Sequence, residues 1–183
     1  GTVHIAVAGA STSNGGSFQV ASGALINYGA GAHTFNSTTG SGAGAVRVSG
    51  GTVNFTGVSS MGNMELAASG TLSASAGATA SVANLAISGG TLSGTGQITA
   101  MGSNSSWTGG TLGGNLAVGV GGTLTLAGGN KVLGNGGALT NQGTVLWTAG
   151  NLVAQAIDAA TSTTITNAVG GVFDIQGDVA VWD

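Results

Sequence analysis

The sequence predicts an all-β fold, a parallel β-solenoid wound in coils of about 20 residues with three short strands each. Three observations carry this expectation. The chain repeats itself at a spacing of about 20 residues, its short apolar runs alternate with small polar residues, and its composition leaves little room for a helical or enzymatic fold.

The repeat is visible when the chain is cut into rows that start at Thr71, Thr91, Thr111, Lys131, Asn151 and Gly171. The rows then open on TLSASAG, TLSGTGQ, TLGGNLA, KVLGNGG, NLVAQAI and GVFDIQG. Their second column reads Leu72, Leu92, Leu112, Val132, Leu152 and Val172, apolar in every row. Row ends agree: ISGG closes at 90, WTGG at 110, AGGN at 130 and WTAG at 150. A period of this length marks a repeat architecture in which each unit buries its apolar face against the next.

Within each row, β-rich stretches recur at three places. TLS and KVL begin the rows, QITA, LAV and ALT follow, and NLAI, LTL, TVLW and TTIT come last. Alternation with period 2 between Gly, Asn and Ser signals reads as short, half-buried strands. Helices are disfavoured because interior glycine costs about 1 kcal/mol each, and there are 38 glycines.

Stacked in register, such coils lie about 4.8 Å apart and pair through their backbones. Equivalent positions then form ladders. Leu72, Leu92, Leu112, Val132, Leu152 and Val172 are expected as one inward ladder, with Thr71, Thr91 and Thr111 outward beside it. Ladders also account for the missing charge, since like charges in adjacent rungs would repel. The expected organisation is one solenoid over residues 1–183, with looser coils over 1–50 and regular coils of the full repeat length over 51–183.

Composition narrows function by exclusion. Gly, Ala, Ser and Thr make up 108 of 183 residues, and Lys plus Arg number only 2 against 5 Asp plus Glu. Two cations cannot neutralise a row of phosphates, which argues against nucleic-acid binding. With no Cys there is no disulfide framework and no thiolate metal site. Gly, Ser, Thr and Asn interrupt every apolar run, so no stretch is long enough for a membrane-spanning helix, and the runs are too short for a membrane barrel. The apolar content and net charge of −3 are also unlike those of a disordered chain.

The rows GGTLSGTGQITA, GGTLTLAGGNKVLGNGGALTNQGTVLWTAGN and ITNAVGGVFDIQGD resemble the repeats of secreted bacterial β-helix exoproteins, over about residues 50–183. Autotransporter passengers and filamentous-haemagglutinin-type adhesins are the families in question. The resemblance implies a right-handed coil, export to the cell surface or medium, and a structural or adhesive role. Opening on Gly1 with no secretory leader, the chain reads as a mature or excised piece of a longer exported protein.

Few residues could carry chemistry. Trp107 and Trp147 stand in matching contexts, Trp-Thr-Gly-Gly and Trp-Thr-Ala-Gly, two coils apart. An exposed pair would stack on sugar rings. A core role is the simpler reading, because Val145 and Trp147 share a strand face. Trp182, near an end, reads as an end cover. His4 and His33 are distant and lack partners at metal-ligand spacing. Asp174 and Asp178 flank Gln176-Gly177 and read as turn residues or weak cation contacts, and the Asn-x-Ser/Thr triplets at Asn36, Asn54 and Asn104 read as turns before glycan acceptors.

The function expected from the sequence is therefore non-enzymatic. The chain reads as a β-solenoid segment of a bacterial surface adhesin or self-assembling extracellular filament, with no cofactor and no metal. Its expected partners are copies joined end to end or flanking coils of the same chain, with cell-surface glycans as a further partner through Trp107 and Trp147. Two rival readings are an ice-binding surface on the Thr71, Thr91 and Thr111 ladder and a glycan-binding module.

Overall fold

The computed structural model describes residues 1–5, 8–155 and 162–182. Among them there is no helix; 24 strands follow one another in chain order and every strand pairing is parallel. The chain winds as a β-solenoid with three walls per coil.

The first wall is a nine-stranded sheet running from Ala10–Asn14 through Ala32–Asn36, Thr52–Phe55, Thr71–Ala74, Thr91–Ser93, Thr111–Leu112, Lys131–Leu133 and Leu152–Ala154 to Val181–Trp182. The second wall runs from Ser17–Gln19 to Thr164–Asn167, and the third from Thr2–Ile5 to Val172–Ile175. The second and third walls merge into one 15-stranded sheet because two strands, Val58–Leu66 and Thr79–Ile87, stay extended around the corner between them. These two long strands pair continuously except at the bend, where Ala83 is left out of the register between Val82↔Met61 and Asn84↔Asn63.

The expected tripartite rows map onto these walls. TLS and KVL lie on the first, QITA, LAV and ALT on the second, NLAI, LTL and TVLW on the third. TTIT departs from the pattern: Thr164–Asn167 pairs with Ala138–Asn141 on the second wall, because the connection after Ala154 is longer than its counterparts. Residues 1–50 are more regular than their sequence suggests. SFQ, LIN and AVRV are strands, and Thr2 pairs with Leu25, which pairs with Ala45. Ala6 and Val7, read from sequence as continuing the first strand, lie outside the described residues.

Strand alternation puts one set of side chains inside. Val3, Ile26, Val46, Met64, Leu85, Ser105, Leu124, Val145 and Phe173 form one inward column of the third wall. Leu66, Leu85, Leu92, Ile98, Leu112 and Leu116 are essentially inaccessible, and each such side chain contributes about 1.5–3 kcal/mol. Near the N-terminal end an aromatic cluster fills the interior: Phe35 packs between Phe18 and Phe55, with Tyr28 edge-on at 5.7 Å.

The inward ladder on the first wall needs a correction. Leu72 pairs with Leu92 and Leu92 with Leu112, all buried. The next rung, however, is Leu133, not Val132; Val132 pairs with Thr111 and is half-buried. Between the paired positions Trp107/Leu126 and Thr111/Val132, the corner holds residues 108–110 in one coil and 127–131 in the next. The longer corner follows a shorter coil, since Leu126 pairs with Trp107 one residue early, and the net shift of one against the constant spacing exchanges inward for outward. Leu152 is buried but stacks on Lys131, and Val172 lies on the third wall opposite Thr144, exposed.

Candidate functional site

Trp107 and Trp147 occupy one inward column of the third wall, with Leu126 between them: Trp107 pairs with Leu126 and Leu126 with Trp147. They are 0% and 3% exposed, so neither ring face is open to a sugar. The Trp147 Nε1–H donates to the Gly150 carbonyl at 2.7 Å, and its ring meets Phe173 edge-on at 6.3 Å. Trp107 Nε1 finds no acceptor among the described residues. The pair is core and offers no platform for stacking on glycans. Trp182 lies on the outward side of the last strand of the first wall, pairing with Val153, and is exposed.

The histidines do not meet. His33 is buried, inward on the first wall. Its Nε2–H donates to the Ala30 carbonyl at 2.8 Å, and its Nδ1 accepts from the Ser11 hydroxyl at 2.7 Å. This is a satisfied core histidine. His4 is exposed and accepts from the Asn27 amide at 3.2 Å. Among the described residues no three His, Cys, Asp or Glu side chains gather at one point. Asp174 accepts from Gln176 Nε2 at 2.9 Å. Of the triplet asparagines, Asn36 donates to Asn14 and Asn54 to Ser75, and the Asn104 backbone N–H donates to Asn84, so all three are tied into turns and rungs.

Sequence reasoning missed Lys131. It stands on the inner side of the corner, fully buried, with no carboxylate beside it among the described residues. Its ammonium donates to three carbonyls, Ala127 at 3.0 Å, Gly129 at 2.9 Å and Ala149 at 2.9 Å. All three N–H bonds are thereby used. Burial penalises the charged form and lowers the amine from its ordinary 10.5. Burial likewise raises the Tyr28 phenol above 10.0. The one available signal for Lys131 was the longer AGGN corner preceding it.

On the outer face of the first wall, Thr52, Thr71, Thr91 and Thr111 form four consecutive rungs. A second outward column runs beside it through Thr12, Thr34, Asn54, Ser73 and Ser93. The threonine ladder starts one rung before the Thr71 expected from sequence and gives way to Val132 and Val153.

The two ends expose backbone edges and apolar side chains that are internal elsewhere. In the last coil Ile165, Val172, Ile175, Val181 and Trp182 are all exposed, although Ile165 and Ile175 occupy inward columns. In the first coil Val3, also in an inward column, is 59% exposed. Both ends display the same three-walled arrangement, and the only charged side chain among the described residues of the terminal strands is Asp174, with His4 at the opposite end.

No helix among the described residues is long and apolar enough to cross a membrane. In comparisons with known proteins, no family model, curated protein or solved structure matches the chain.

Proposed function

We propose that the chain is a non-enzymatic structural solenoid of the secreted adhesin or filament kind, acting at the bacterial surface or outside the cell and extended lengthwise by pairing at its ends. The carrying observation is the pair of terminal coils, where apolar side chains are exposed beside strand edges that have no partner strand among the described residues. Unprotected edges template further pairing. A joint that adds one more coil in the existing register covers them, whether the added coil belongs to a second copy or to flanking sequence. Since the contact is head to tail, it does not close and gives a rod or fibre.

Between copies, continuing the columns stacks Val3 on Phe173 and Ile5 on Ile175. It also brings His4 over Asp174, because both belong to the outward column that passes through Asn27, Arg47 and Glu65. The experiment is charge reversal. His4→Asp sets two carboxylates against each other across the joint and is expected to shift the chain to monomer in sedimentation. Adding Asp174→Lys to the same chain restores association. A His4→Asp chain that associates as before, or a double variant that stays monomeric, contradicts this joint.

The threonine ladder supports a second reading, ordering of water on the first wall as an ice-binding surface. Four contiguous threonines on a flat, uncharged face favour it, and the switch to Val132 and Val153 limits its extent. A thermal-hysteresis assay with no gap between melting and freezing points disposes of it.

A further inference from the structure

We propose that the third wall carries a binding site for a neutral saccharide ring, in the depression beside Arg47 and Glu65. The depression is shallow and open to solvent, with a volume of about 390 Å³, so it would hold one face of a sugar ring and not enclose it. Its floor is apolar: Leu25 and Ala45 are neighbours in one outward column, and Gly44 adds no side chain. Its rim is the Arg47–Glu65 pair in the next outward column, with Arg47 Nε donating to Glu65 Oε2 at 2.6 Å.

Stability does not account for this pair. The Arg47 and Glu65 side chains are 41% and 35% exposed, and an exposed ion pair contributes only about 0–1 kcal/mol. Elsewhere the outer walls are built almost without charge, and residues 66–130 contain no charged residue at all. Yet here a cation and an anion meet at the edge of a concavity.

The free atoms define the ligand. Among the described residues, the two terminal nitrogens of Arg47 and Glu65 Oε1 have no hydrogen-bond partner. Asn63, at the back of the depression, is already committed: it donates to the Ala43 and Gly44 carbonyls and accepts from Asn84. The rim therefore offers donors on Arg47 and an acceptor on Glu65, side by side. A charged ligand would satisfy one partner and face repulsion from the other. A vicinal diol satisfies both, one hydroxyl accepting from the guanidinium and its neighbour donating to the carboxylate. The C–H face of a pyranose then lies over Leu25 and Ala45.

The test is saturation-transfer NMR on the full chain with methyl β-D-galactopyranoside, methyl α-D-mannopyranoside and methyl β-D-glucopyranoside as separate probes. At least one is expected to bind saturably in the millimolar range. Glu65→Gln and Arg47→Met are each expected to weaken that probe at least tenfold, or about 1.4 kcal/mol, with circular dichroism unchanged. No saturable probe up to about 50 mM, or undiminished binding in both variants, overturns the site. Neither substitution lies in a terminal coil, so failure here leaves the pairing of the ends untouched.

Discussion

Lys131 lies directly beneath Leu152 on the first wall, in the column that Gly51, Gly70, Gly90 and Gly110 occupy in the four preceding coils. Each of those glycines accepts, through its carbonyl, a strand N–H of the next coil, from Thr71, Thr91, Thr111 and Val132 in turn, at 2.9 to 3.0 Å. The lengthened corner 127–130 opens enough room for a side chain, and the amine closes that corner by collecting three carbonyls. Lys131→Met keeps the aliphatic volume but leaves those carbonyls unpaired. It is expected to cost about 1–3 kcal/mol at neutral pH, read from urea unfolding.

The same residue sets a pH dependence. The folded amine loses its proton below 10.5, the unfolded chain's value, so through that window the unfolded chain binds more protons and stability rises with pH. Tyr28 acts oppositely. Its folded phenol ionises above the unfolded value of 10.0, so stability falls as pH climbs through and beyond 10.0. Urea midpoints measured from about pH 8 to about pH 10 are expected to rise for the wild type relative to Lys131→Met. Parallel curves would mean that the amine is not buried.

Register on the first wall is checked by adjacent residues of opposite orientation. Leu133→Asp places a carboxylate inside, beneath Ala154, while Val132→Asp places one on the half-buried outer side. The first is expected to prevent folding and the second to be tolerated, because an unpaired buried charge is heavily penalised. Similarly, Leu92→Ala is expected to cost about 2–5 kcal/mol and Thr91→Ala at most about 0.5 kcal/mol. Thermal melts that fail to separate the members of each pair would put the register one residue off.

The tryptophans divide by accessibility. With Trp107 and Trp147 buried and Trp182 exposed, iodide is expected to quench only part of the fluorescence, and Trp182→Phe is expected to abolish that part. The remaining emission should be blue-shifted and unmoved by sugars. Quenching that survives Trp182→Phe would contradict the buried column.

The coil and its three walls are legible because they follow from periodicity: Leu72, Leu92 and Leu112 recur at one constant spacing and do stack. The sequence misleads where corner length changes. The longer corner 127–131 leaves a net slip of one that turns Val132 outward, and the longer connection after Ala154 carries Val172 to another wall. Alternation fixes which residues share a face but not how much chain a corner consumes, so a slip leaves the pattern intact while exchanging the faces. Residues 1–50 look loose for the same reason, since the rungs Thr2, Leu25 and Ala45 are unequally spaced along the chain. The Arg47–Glu65 pair is invisible in the sequence because its members are 18 residues apart, a spacing that becomes a contact only once the coil is closed.

Pairing of the ends is the central claim, and light scattering on the purified chain tests it most directly. Across micromolar concentrations the expected result is a mass that exceeds 17.1 kDa and grows with concentration, as head-to-tail addition requires. A particle that holds the mass of one chain at every concentration would contradict it.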